Sequence, residues 1–246
     1  MHSASQTPNL SAFNCCNCPI QKRAVCAYCD NSELLVLGSM KSYKTYPAGT
    51  SIVRAGDPLD FVGSVVQGVA SLSQTMEDGR RQMVGLLLPS DFVGRPGRAM
   101  AKFDVEATSE VILCQFNRAP FERFLHATPH LHERMLEMAL DELDAAREWM
   151  LLLGRKTARE KIASLLLIVA KRQNAAPVLD GIGMVKFDLN LTREAMADYL
   201  GLTLETVSRQ INALKKDGII QLEKKRQICV NNIDQLRAET GTDFEG

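Results

Sequence analysis

Residues 192–218 read TREAMADYLGLTLETVSRQINALKKDG. Thr192 carries a side chain suited to a helix N-cap, and the helix it opens runs from Arg193 to Leu200. Gly201 follows, the residue type that a tight turn with positive φ requires. Thr203 caps a second helix reaching about Asp217, and Gly218 supplies its C-terminal stop. Met196, Leu200, Leu202, Val207, Ile211 and Leu214 then form one shared apolar core, with the small Ala197 where the helices cross. The spacing predicts a helix-turn-helix.

The outer face of the second helix carries Glu205, Thr206, Ser208, Arg209 and Asn212. Arg can bond O6 and N7 of guanine together, and Glu can accept from N4 of cytosine. Residues 205 and 209 are four apart, so they are neighbours on that face. On an arbitrary surface helix this would be a solvated ion pair. Behind a helix-turn-helix it reads as a base-reading face. Ile219–Leu222 and Gln227–Val230 suit a small hairpin or wing, with Lys224-Lys225-Arg226 at its tip in reach of phosphate.

Charge follows the same division. The 246 residues carry 29 basic and 29 acidic side chains. Residues 1–154 have a net charge of −3, residues 155–227 of +6 and residues 228–246 of −3. A basic segment inside a balanced chain points to a polyanion.

Upstream, Thr128 and Pro129 suit the start of a long helix. Its apolar positions Leu136, Ala139, Leu143, Ala146, Met150 and Leu153 alternate in steps of three and four, a heptad seam. The seam is narrow and holds two alanines, which suits close approach of a second copy, so a homodimer is expected. Gly154 is expected to end or weaken that helix. Thr157-Ala158-Arg159-Glu160 reads as a capping box opening the next, over residues 158–173, and Asn174–Gly183 reads as a turn-rich connection.

From about Lys41 to Phe116 glycines punctuate short β-prone runs, among them Ser51–Arg54, Ser64–Gln67, Gln82–Leu88 and Glu110–Phe116. Glu77-Asp78-Gly79-Arg80 reads as a hairpin tip. Many short strands at regular spacing predict an antiparallel sandwich, roll or barrel. The class is therefore α+β, in four parts. Residues 1–30 are a cysteine-rich segment and 31–127 a β-roll. Residues 128–156 are a dimerisation helix and 157–246 a winged helix-turn-helix.

Composition is that of an ordinary globular protein, 46% hydrophobic and 24% charged. No run is long enough to span a membrane, and no secretory signal is visible, so the expected location is the cytoplasm. No nucleotide loop, nucleophile elbow or metallohydrolase motif is present, so no enzyme is expected. His126, His130 and His132 read as a polar helix entry.

Five of seven cysteines, Cys15, Cys16, Cys18, Cys26 and Cys29, fall within fifteen residues, while Cys114 and Cys229 stand alone. Such clustering in a cytosolic chain reads as metal or cluster ligation before it reads as disulfides. Cys15, Cys18, Cys26 and Cys29 have the spacing C-x2-C-x7-C-x2-C, which a tetrahedral zinc ion could use. On spacing alone, zinc and iron–sulfur remain open. Cys114 sits in the strand-like run Val111–Phe116, and Cys229 reads as structural.

A β-roll, a long helix and a winged helix-turn-helix, in that order, resemble the CRP/FNR transcription regulators over nearly the whole chain. Leu200-Gly201-Leu202-Thr203-Leu204-Glu205-Thr206-Val207-Ser208-Arg209 resembles the recognition segment of the FNR branch. The resemblance implies half-site reading by Glu205, Ser208 and Arg209 on an inverted-repeat DNA site. It implies contact with RNA polymerase through exposed β-roll loops, with the Glu77–Arg81 tip a candidate. It also implies a [4Fe–4S] cluster on Cys15, Cys18, Cys26 and the distant Cys114, and an oxygen response. Here the gap from Cys18 to Cys26 is longer than the best-known family spacing, and Cys16 and Cys29 are extra. Asp91–Arg98 and the run to Thr108 lack the Gly-Glu and Arg-Ser/Thr pair of the cyclic-nucleotide members, so a cyclic nucleotide is not expected.

Overall fold

The computed structural model describes residues 15–173, 184–223 and 227–241. The connection 174–183, the wing tip 224–226 and the N-terminal residues 1–14 lie outside the described residues.

The chain enters through two single 3-10 turns, Cys15–Asn17 and Val25–Tyr28, and then forms α1 (Asn31–Met40). A capping box starts α1. Asp30 accepts from the Glu33 amide at 2.9 Å, and Glu33 accepts from the Asp30 amide at 2.9 Å. Sequence periodicity does not announce this helix, because Leu34, Leu35, Val36 and Leu37 are consecutive and show no helical stripe.

Eight strands follow: β1 (Lys41–Tyr46), β2 (Ser51–Val53), β3 (Phe61–Gln67), β4 (Ala70–Thr75), β5 (Arg81–Leu87), β6 (Phe92–Val93), β7 (Asp104–Ala107) and β8 (Val111–Asn117). They form two antiparallel four-stranded sheets, ordered β1-β8-β3-β6 and β2-β7-β4-β5. The expected hairpin tip joins β4 and β5, with Gly79 at φ 85°.

Strand β8 is buried at every position from Val111 to Phe116. Successive side chains point to opposite faces, so both faces of its sheet are covered. Val111 and Leu113 pack between the sheets with Tyr46, Val65 and Val105. Ile112, Cys114 and Phe116 pack the other way, against Val25 of the cysteine segment, Leu37 of α1, and α2 (Arg118–Ala127) through Phe121. The alternation of one strand thus turns Cys114 toward the N-terminal cysteines.

Helix α3 (Pro129–Arg155) is 27 residues long, and its buried residues are Leu131 and Leu152. Thr128 takes the N-cap position and Pro129 the first turn, but the Thr128 side chain makes no capping bond. Gly154 does not end the helix, which runs through it to Arg155. Helix α4 (Ala158–Gln173) opens with the expected capping box, Glu160 accepting from the Thr157 amide at 2.7 Å.

The C-terminal unit holds β9 (Val185–Asp188), α5 (Arg193–Leu200), α6 (Leu204–Lys216), β10 (Ile220–Glu223), β11 (Gln227–Val230) and α7 (Ile233–Ala238). The wing is a three-stranded sheet ordered β10-β11-β9, one strand more than the sequence announces. The β-roll packs on this unit. Val69, Met83 and Leu88 share one apolar cluster with residues of α4, α5 and α6. Trp149 of α3 stacks on Tyr199 of α5 at 5.8 Å between ring centroids.

Candidate cysteine cavity and nucleic-acid interface

Cys15, Cys18, Cys26 and Cys114 line one small apolar cavity, with Ile20, Ala24, Val25, Leu37, Tyr43, Ser64 and Phe116 completing its wall. Three elements bring the thiols together. The first 3-10 turn carries Cys15, whose sulfur lies over Gly38 of α1. The second carries Cys26, with Cys18 on the loop between the two turns. Strand β8 carries Cys114. Cys29 is buried in the same apolar cluster but is not among the residues lining the cavity. Cys229 is buried in the wing strand β11.

The cavity is dry. Burial pushes the Cys26 thiol up to about 11 and the Cys114 thiol up to about 12, and it raises Cys18 too. Loss of water disfavours the thiolate, and neighbouring thiolates would disfavour one another. A ligand that converts these thiols to thiolates must therefore be strongly electropositive and must displace protons. Among the described residues, no three His, Cys, Asp or Glu side chains converge closely enough to hold a single metal ion. The donor set, four thiols on an apolar wall, fits an iron–sulfur cluster, which takes one thiolate at each of four irons.

The segment carrying these cysteines is fastened to the helices around it. Arg134 of α3 donates to the Arg23 carbonyl at 2.6 Å, and its guanidinium lies over the Tyr28 ring. The Tyr28 hydroxyl donates to Glu137 at 2.8 Å. His130 Nε2 sits 2.9 Å from Glu33 of α1. Arg23 itself donates to the Arg172 carbonyl at the end of α4 at 2.7 Å. The sequence gives no signal for these contacts, because each joins residues about a hundred or more positions apart.

The predicted helix seam faces solvent in the single chain. Leu136 is 61% exposed and Met150 60%, with Ala139, Leu143 and Ala146 also exposed. Leu140 and Leu151 are exposed beside them, so the apolar stripe is wider than the heptad positions. Leu153 differs. It is partly buried against the C-terminal core, beside Gly201.

The helix-turn-helix forms as its residues require. The Thr192 hydroxyl accepts from the Ala195 amide at 3.0 Å, and Thr203 accepts from the Thr206 amide at 3.2 Å. Gly201 ends α5 in the left-handed region, at φ 61°. Met196, Leu200, Val207, Ile211 and Leu214 are fully buried. Glu205, Arg209 and Asn212 are exposed on the outer face of α6, with Ser208 and Thr206 half-buried. The Thr206 hydroxyl accepts from the Thr203 hydroxyl at 2.9 Å. The residues of the expected wing tip, Lys224-Lys225-Arg226, lie outside the described residues.

Comparison with known proteins agrees with both halves. The Crp-like helix-turn-helix domain matches residues 160–239, and the cyclic nucleotide-binding domain matches residues 43–128. The chain is 61% identical over 232 residues to the transcriptional activator protein FnrL of Cereibacter sphaeroides, covering 94% of each chain. The chain belongs to the CRP/FNR superfamily of transcription regulators. It is also 38% identical to the nitrogen fixation regulation protein FixK of Bradyrhizobium diazoefficiens, over 85% of this chain and 86% of that one. The solved structure of FixK2 from Bradyrhizobium japonicum superposes with a TM-score of 0.72 at 31% identity, covering 83% of this chain and 99% of that one. This CRP/FNR regulator is a DNA-binding protein of the helix-turn-helix class. No helix among its described residues is long and apolar enough to cross a membrane.

Proposed function

We propose that this regulator is an oxygen-responsive transcription activator. In this reading it holds a [4Fe–4S] cluster on Cys15, Cys18, Cys26 and Cys114, and it binds an inverted-repeat operator as a homodimer. The observation that carries it is the common cavity, in which three cysteines of the N-terminal segment meet one from β8. When bound, such a cluster supplies an oxygen-labile cross-link among four thiolates. The chain's own residues do the rest. Cys114 anchors the segment to the roll, and Arg134, Tyr28 and Arg23 fasten that segment to α3 and α4. Ligation therefore biases the packing of the helix whose stripe from Leu136 to Met150 is left uncovered in one chain.

The zinc reading is less well supported. A tetrahedral zinc–thiolate site draws its sulfurs to about 3.8 Å from one another, from Zn–S bonds of about 2.3 Å. Cys29, the fourth member of the C-x2-C-x7-C-x2-C set, is off the cavity wall, and Cys114 is on it.

Two α6 helices in a symmetric dimer would enter successive major-groove turns, which gives half-sites about one helical turn apart. The exposed β4–β5 tip, Glu77–Arg81, is the candidate contact for RNA polymerase. Replacing it should reduce activation at constant DNA affinity, whereas lost DNA binding would indicate misfolding. The switching model is tested by dimer fraction and operator affinity before and after oxygen exposure. Both should fall with oxygen, and unchanged values would refute the model.

A further inference from the structure

The sheet register sets three side chains in one row beneath the cysteine segment. Tyr43 lies opposite Cys114 across β1 and β8, and Ser64 lies opposite Cys114 across β3 and β8. All three line the cavity. Strand β3 is pressed close here, since a Cβ on Gly63 would collide with the Cys114 carbonyl.

The two hydroxyls in the row differ in what they touch. The Tyr43 hydroxyl accepts from Lys41 Nζ at 3.0 Å. Ser64 is 3% exposed, and its Oγ is buried with no hydrogen-bond partner among the described residues. A buried, unsatisfied hydroxyl is costly, and alanine would occupy this place without that cost. The anomaly is resolved if whatever fills the cavity accepts a hydrogen bond.

We propose that the Ser64 hydroxyl donates to a sulfur of the iron–sulfur cluster held by Cys15, Cys18, Cys26 and Cys114, and so tunes its reduction potential. This rests on the cluster reading above. Sulfide and thiolate sulfurs gain electron density on one-electron reduction. A hydrogen-bond donor therefore stabilises the reduced state and raises the potential. Dithionite supplies the electron in the test, with no bond made or broken.

The experiment uses the full chain, purified anaerobically, as wild type, Ser64→Ala and Ser64→Thr. Iron and sulfide are counted, the iron–sulfur Raman bands are recorded in H2O and D2O, and the midpoint is titrated with dithionite and mediator dyes. Ser64→Ala should keep its iron and sulfide but lose part of the D2O-induced band shift. At a fixed potential its reduced-to-oxidised ratio should fall about tenfold, equivalent to about 59 mV for a one-electron couple. Ser64→Thr should restore both signals. Thermal unfolding of the apo form of Ser64→Ala should match or exceed wild type, because the deleted group had no partner. If Ser64→Ala fails to assemble the cluster while Ser64→Thr assembles it with D2O-sensitive bands, the hydroxyl contact is again supported. Identical bands and midpoints in Ser64→Ala and wild type would overturn the proposal. So would Ser64→Thr behaving like Ser64→Ala, which would assign the effect to side-chain volume or to a trapped water. Wild type without iron and sulfide would overturn the cluster reading and this inference together, a result seen before any substitution is made.

Discussion

Arg134 on the long helix donates to the backbone carbonyl of Arg23, in the loop between Cys18 and Cys26, at 2.6 Å. Through its side chain the same Arg23 donates to the Arg172 carbonyl at the end of α4. One loop residue thus touches both the helix that carries the exposed apolar stripe and helix α4, which packs on the helix-turn-helix. Arg172 in turn pairs with Asp91 of the β-roll at 3.0 Å.

This bracket makes Arg134 the first target. Its substitution by alanine removes a charge-assisted hydrogen bond of about 1.5–3 kcal/mol. Iron and sulfide content should stay at the wild-type level, because Arg134 is not on the cavity wall. Anaerobic operator affinity, read by fluorescence anisotropy, should fall roughly tenfold or more. Unchanged affinity would mean that the segment does not communicate through α3.

The proposed ligand set predicts different outcomes at Cys114 and Cys29. Cys114→Ala should abolish most of the bound iron and sulfide, since it removes the one donor on the β-roll. Cys29→Ala should leave the metal content intact, at a small cost in stability from the cavity it creates. Elemental analysis of the two variants decides the point. Metal lost from Cys29→Ala and kept in Cys114→Ala would favour the C-x2-C-x7-C-x2-C zinc set.

Leu143 tests the proposed dimer. It is exposed on the single chain, so Leu143→Ala should barely move the unfolding temperature of a monomer. In a symmetric dimer the loss occurs twice, at about 1.5–3 kcal/mol for each buried leucine. Sedimentation should therefore show the dimer dissociation constant raised by at least about 100-fold. No change in dissociation would place the interface elsewhere.

At the recognition helix, Arg209→Ala should cost about 1–3 kcal/mol in operator binding and relax base preference at one position of each half-site. Glu205→Ala should relax a neighbouring position, since the two exposed side chains lie one helical turn apart on α6. Binding to a library of single-base operator variants reads both effects. A uniform loss across every variant would mean phosphate contact and no base reading.

How much of this was legible in the sequence depends on the range of the interaction. The helix-turn-helix is written locally in Thr192, Gly201, Thr203 and Gly218, and each takes its expected place. The heptad seam is equally local, although Leu140 and Leu151 widen it beyond the a/d pattern. Leu153, at its end, turns partly into the C-terminal core. Helix α1 is hidden because its four consecutive apolar residues have no period. The cavity is only half legible. Spacing groups Cys15, Cys18, Cys26 and Cys29 without choosing among them, and nothing local says that β8 faces them with Cys114 instead of Leu113. That choice is set by strand register, as are the places of Tyr43 and Ser64.

The central claim is that the four cysteines of the cavity hold an iron–sulfur cluster. Iron, acid-labile sulfide and zinc should be measured on anaerobically purified wild-type protein, with the visible spectrum before and after air. The account predicts about four irons and four sulfides per chain, negligible zinc, and colour that fades or changes in air. About one zinc per chain and no colour would contradict it, leaving a DNA-binding regulator whose cysteines serve structure alone.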